Sequence, residues 1–218
     1  MAGNKFLLKI VKMANKIIIN ADDYGLSKEF NRGIINLIKK EIVSSVTVMV
    51  NRGFVSPEKL LKFDNIYIGV HLEEGLMSFE EQIEKFKNIF SKNPSHLDGH
   101  KHCHLKKDNL KHTIFLAKKY EIFVRSRYDK DRKILKENSI KTPDKLISWH
   151  PKRRDVFFDK LKKTYSNTTE IVCHPGFFDP LCDYPYNKQR KEEVDLLLSD
   201  DFSKILDDYD LISYKNIS

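Results

Sequence analysis

The chain of 218 residues is poor in the features that mark extracellular, membrane-bound or modular proteins. Its three cysteines, Cys103, Cys173 and Cys182, are odd in number and form no Cys-x-x-Cys. That spacing excludes a disulfide framework and a thiolate zinc knuckle, and a reducing, cytoplasmic setting is expected. No apolar run is long enough to span a membrane, and the start MAGNKFLLKIVKMANK interrupts its short apolar stretch with lysines, unlike a secretory leader. Residues 1–15 therefore read as an N-terminal extension, with Met13 a candidate alternative start. Long linkers, low-complexity segments and internal repeats are also lacking, so residues 16–218 are expected to form one domain.

Charge, by contrast, is plentiful. Charged residues make up 32% and hydrophobic ones 40%, the balance of a globular chain and not of a disordered one. A net charge of +8 raises the question of a polyanionic partner. The lysines are scattered along polar faces of helical patterns such as KHTIFLAKKY and FFDKLKKTYS, and no nucleic-acid motif is present. Neither a nucleic acid nor a membrane is expected as a partner, and a homodimer is left open.

Apolar strand-like runs alternate with amphipathic stretches. Strands are predicted at 16–20, 43–50, 66–72, 95–98, 121–125, 170–174 and 210–214, with helices near 27–41, 56–63, 79–91, 107–120, 152–165 and 188–206. This alternation means α/β, either a parallel sheet curled into a distorted or incomplete β/α barrel or an open doubly wound sheet. In both, active sites collect at the carboxyl ends of the strands. Several predicted strands do end in polar residues: IIIN runs into Asp22 and Asp23, IYIGV into His71, SHLD into GHKHCH, EIFV into Arg125, and EIVC into His174.

An aspartate and two histidines from separate strand ends suit a divalent ion with an open position for water. A second carboxylate could accept the water's proton and another histidine could protonate a leaving group. Each residue also has a plainer reading. Asp22 and Asp23 with Gly25 suit a solvated turn; His71 suits a packed histidine; His100, His102 and His104 suit a surface tract; Arg125 suits a solvated cation. Cys173 should face the side of its strand opposite His174 and belong to the core, as should Cys103.

Taken in order, NADDYG, GVHL, HLDGHKHCH and CHPG resemble the YdjC-like carbohydrate deacetylases, the group that includes chitooligosaccharide deacetylase. The resemblance runs from about Ile17 to the end of the chain. It implies a distorted β/α barrel that removes N-acetyl groups from amino sugars or their oligosaccharides with one divalent metal ion, zinc or magnesium. It further implies Asp23, His71 and His100 as metal ligands, Asp22 as general base and His174 as general acid. Arg125 would orient Asp22 or bind substrate, and His102 and His104 would stand in the sugar pocket or behind the ligands. Tyr24, Phe177, Phe178, Tyr184 and Tyr186 could stack on a sugar face or pack under loops. Family members commonly follow GVHL with a Leu-Thr-like segment and a long insertion, whereas this chain reads GVHLEEGLMSFEEQIEKF, so the pocket wall there is expected to differ. The rivals are a metal-dependent hydrolase of another bond, such as a phosphoester, and a noncatalytic barrel that binds glycan or nucleic acid.

Overall fold

The computed structural model describes residues 15–217 apart from 76, 150–152, 165 and 185. Residues 1–14, with the candidate start Met13, lie outside the described residues. Strand β1 (Asn15–Tyr24) is central to a sheet that also contains β2 (Ser45–Val48), β3 (Tyr67–Leu72), β4 (His96–Gly99), β5 (Phe123–Val124), β6 (Lys145–Ser148) and β7 (Thr168–Cys173). Their order is β5-β4-β3-β2-β1-β7-β6, and every pairing is parallel. A short β8 (Tyr209–Leu211) pairs with Asn15–Ile17, on the edge of β1 that β2 occupies further along.

Helices cover the outside: α1 (Lys28–Lys39), α2 (Pro57–Leu60), α3 (Phe79–Phe90), α4 (Lys107–Tyr120), α5 (Asp129–Glu137), α6 (Arg154–Lys162), α7 (Arg190–Leu197) and α8 (Asp200–Leu206). The expected single-domain, incomplete barrel is what forms. In a flat sheet β5 would lie four strand spacings from β1, roughly 19 Å. Arg125, at the end of β5, instead touches Asp22 of β1 at 2.7 Å, so the sheet must curl. Among the described residues β5 and β6 do not pair, and one backbone hydrogen bond, from Val124 N–H to the Lys141 carbonyl at 3.2 Å, crosses the gap.

Side chains alternate along each strand. Ile17, Ile19 and Ala21 face outward into the apolar layer under the helices, with Val46, Val70, Leu97, Val124 and Ile171. Ile18 faces inward, where it packs with Tyr214 and Ile217 beneath the barrel. Above that plug the interior is polar. Cys103 and Cys173 are buried in the outer layer, as expected.

Sequence periodicity does not reveal α5 and β6. In α5 only Leu135 is buried, and in β6 only Ile147, so neither presents an apolar run. The predicted helix at 188–206 is two helices, broken at Ser199, whose hydroxyl accepts the Phe202 N–H and so caps α8.

Candidate active site

At the carboxyl end of β1 the pairing with β2 slips between Ala21 and Tyr24, and Asp23 takes φ +68°. Regular alternation would send Asp22 and Asp23 to opposite faces of the sheet. The bulge, with one residue in the left-handed region, turns both carboxylates toward the same cavity. The same slip returns Tyr24 to the outer layer, fully buried with its hydroxyl donating to the Ser56 carbonyl. Tyr24 therefore does not reach the cavity.

That cavity, of about 300 Å³, is lined by Asp22, Asp23, His71, His100, His102 and His174, with Trp149, Tyr184 and Tyr186 on its walls. Asp23 Oδ1 lies 3.4 Å from His71 Nε2 and 3.7 Å from His100 Nδ1. This oxygen is buried and has no hydrogen-bond partner among the described residues. An orphaned carboxylate oxygen between two imidazoles, with ligand atoms all within 4.8 Å of one another, is a donor set that fits a divalent cation. A second acidic group, Asp22, His71 and Asp98, does not fit one, because the Arg125 guanidinium already supplies its positive charge.

Asp98 holds the His71 ring in place. Its Oδ1 lies 2.6 Å from His71 Nδ1, which leaves Nε2 facing Asp23, the carboxylate–histidine arrangement common behind metal ligands. Burial alone would lower the His71 pKa, but Asp98, then Asp22 and Asp23, lift it to about 9. A cation binding at His71 must displace that proton.

Asp22 is held by Arg125 and Asn20. Arg125 gives it two parallel hydrogen bonds, Nη1 to Oδ2 at 2.7 Å and Nη2 to Oδ1 at 2.8 Å, and Asn20 donates to Oδ1 at 2.8 Å. Burial opposes ionisation, yet the Arg125 charge and hydrogen bonds outweigh it and keep the carboxyl well below its ordinary range. His174 Nε2 stands 3.9 Å from Asp22 Oδ2. Desolvation by the cavity walls lowers the His174 pKa against the pull of Asp23 and Asp22. The turn after His174 packs on α1, where a Cβ at Gly33 would come within 2.5 Å of Gly176 Cα.

Of the residues singled out in the sequence, Asp22, Asp23, His71, His100, His102 and His174 converge at the cavity. Arg125 lies beneath it, fully buried and bonded to Asp22, Asp98 and Glu170. His104 is turned away, its Nε2 against the Arg125 carbonyl at 3.0 Å. Tyr184 meets the His100 ring through its hydroxyl, whereas Phe177 packs against the outer core and Phe178 stands exposed beyond the cavity. Lys101 and His102 both have positive φ in the turn after β4, a local strain that places His102 on the cavity wall.

Asp98, Arg190 and Glu193 were not identified from the sequence. Asp98 had a readable signal, two residues after His96 and so on the same inward face. Arg190 and Glu193 lie in a charged helical stretch, and nothing in their spacing marks them. Glu193 is buried at the cavity, and burial pushes its carboxyl up to about 8 although the His174 N–H and Arg190 pull the other way.

The fold and this cavity define a parallel β/α barrel with an aspartate and two histidines gathered at the carboxyl ends of its strands. The chain belongs to the YdjC-like protein family, whose model matches residues 16–75 and 76–208. It is 26% identical to a carbohydrate deacetylase of Clostridium beijerinckii, over 93% of this chain and 100% of that one. It is 25% identical to the chitooligosaccharide deacetylase of Serratia marcescens, over 85% and 91%. Among solved structures, an Enterococcus faecalis V583 protein named for cellobiose-phosphate cleavage superposes with a TM-score of 0.80 at 24% identity, covering 93% of this chain and 98% of that one. No described helix is long and apolar enough to cross a membrane.

Proposed function

We propose that the protein is a divalent-metal-dependent carbohydrate deacetylase, hydrolysing the N-acetyl amide of an amino sugar to acetate and a free amine. The observation that carries this reading is the unpartnered Asp23 Oδ1 between His71 and His100, with Asp22 and His174 on the same cavity. The similarity to proteins named carbohydrate and chitooligosaccharide deacetylases supports the substrate class. Two imidazoles and one carboxylate favour zinc over magnesium, which prefers an all-oxygen shell.

Asp23, His71 and His100 would hold the ion, which supplies Lewis acidity to the acetamide carbonyl and to water. Asp22 takes a proton from the attacking water as the new C–O bond forms. Its low basicity suffices where the water is itself acidified, and Arg125 ensures that it is ionised. As the C–N bond breaks, His174 delivers a proton to the nitrogen, which leaves as the amine. His102 and Tyr184, on the cavity walls, would meet the sugar.

Acetate release should be screened over N-acetylated mono- and oligosaccharides with zinc, magnesium and a chelated control, with phosphate release from sugar phosphates measured in parallel. Acetate from at least one sugar, lost on chelation, is the expected result. Phosphate without acetate, or acetate release indifferent to chelation, would overturn the reading.

A further inference from the structure

Arg190 and Glu193 stand three positions apart on α7, on one face of the helix. Both are buried, and both grip residues of the candidate site. Arg190 Nη2 lies 2.6 Å from Asp23 Oδ2, and Nη1 donates to the His174 carbonyl at 3.4 Å. Glu193 Oε2 accepts the His174 backbone N–H at 2.9 Å. One turn of helix thus holds both backbone polar groups of His174 and one oxygen of Asp23. The guanidinium is fixed in turn over the Phe30 ring at 3.9 Å.

The two buried arginines treat their aspartates differently. Arg125 engages both oxygens of Asp22 in a fork. Arg190 engages only Oδ2 of Asp23, although among the described residues its own Nε has no partner and Asp23 Oδ1 has none either. An ion pair that served stability alone would close that second contact, since a bidentate pair is the stronger one. Leaving both atoms unsatisfied in the interior costs free energy. That cost is offset if Oδ1 is committed to something else.

We infer that Arg190 and Glu193 are positioning residues: Arg190 reserves Asp23 Oδ2 so that Oδ1 alone is offered toward His71 and His100, and the pair fixes His174 opposite Asp22. The role of Asp23 rests on the donor geometry, and that of His174 rests on the deacetylase reading above. Arg190 would thereby keep Asp23 a one-oxygen donor toward a bound ion.

Three measurements need no turnover. Competition of Zn²⁺ or Co²⁺ with a chromophoric chelator should show Arg190→Gln weakening ion affinity roughly 10–100-fold, as loss of a group behind a metal ligand does. The Co²⁺ absorption spectrum should change as Asp23 becomes free to use both oxygens. Arg190→Gln with native affinity and an unchanged spectrum would overturn the arginine's role. If it does not fold, Arg190→Lys, which keeps the charge without the fork, is held to the same two readouts. For Glu193, amide exchange at residue 174 in the chelated protein should accelerate at least ~10-fold in Glu193→Leu and stay native in Glu193→Gln, which keeps an acceptor. With an active substrate, kcat should fall about 10-fold in Glu193→Leu at nearly constant KM and recover in Glu193→Gln. Equal impairment of the two variants, or unchanged exchange in Glu193→Leu, would overturn the positioning role. If the native protein releases no acetate, the deacetylase reading fails, while the ion-affinity and exchange results still decide this inference.

Discussion

Strands β1, β2, β3, β4 and β7 each build two unlike regions at once. Outward residues Ile17, Ile19, Val70, Leu97 and Ile171 form an apolar layer against the helices. Inward residues Asn20, Asp22, Thr47, His71, Asp98, Arg125 and Glu170, one position away, form a buried polar network. The outer layer gains free energy in proportion to the area withdrawn from water and tolerates changes of shape that conserve volume. The inner network is stable only while its groups remain paired, because a charge left alone there has no water to turn to. Arg125 is shared among three carboxyls. Burial raises the Glu170 pKa even though Arg125 pulls it down. The comparison teaches that in this barrel the hydrophobic core lies outside the cylinder and the chemistry inside it.

Removing the hub should have the largest effect. Arg125→Met strands Asp22 and Asp98 and should cost about 3–5 kcal/mol of stability, read by denaturant unfolding, with acetate release lost. Asp22→Asn tests the interior from the other side. It should lower acetate release ~10²–10⁴-fold while ion binding persists, measured by turnover and metal content of one sample. Normal turnover would show that the inner network is structural after all.

Glu193 gives a pH test. Its carboxyl is raised to about 8 when folded, so folding binds a proton between the ordinary carboxylate range and that value. Its contribution is fully present at low pH and is lost as pH rises toward 8. Thermal melts of the chelated protein from pH 5 to 8 should fall more steeply for the native chain than for Glu193→Gln. Equal slopes would mean that the carboxyl is ionised throughout. The smallest effect belongs to the outer layer. Ile19→Val should cost ~0.5–1.5 kcal/mol and leave acetate release per folded molecule unchanged. A turnover defect there would show that the two regions are coupled.

The two regions also differ in how far they could be read from the sequence. The outer layer is written as apolar runs, which is why β1, β3 and β7 were legible as strands, while α5 and β6, with one buried residue each, were not. Polar residues at strand ends brought out Asp22, Asp23, His71, Arg125, His174 and the histidines of GHKHCH, and the family resemblance singled out His100 among the last. Tyr24 and His104 were legible by type but not by direction. A bulge rotates Tyr24 out of the cavity, and two left-handed residues, Lys101 and His102, redirect the turn that carries His104. Both are backbone departures that residue spacing does not encode. Arg190 lies 167 positions from Asp23, and it is the pairing of β7 with β1 that brings the two together.

The chain contains a single tryptophan, and that residue, Trp149, stands on the cavity wall. Fluorescence excited at the red edge of the indole band therefore arises from this one place. Occupation by a sugar or a quenching ion can be followed as a change in emission, without a label, from a vantage point the fold has installed beside the candidate site.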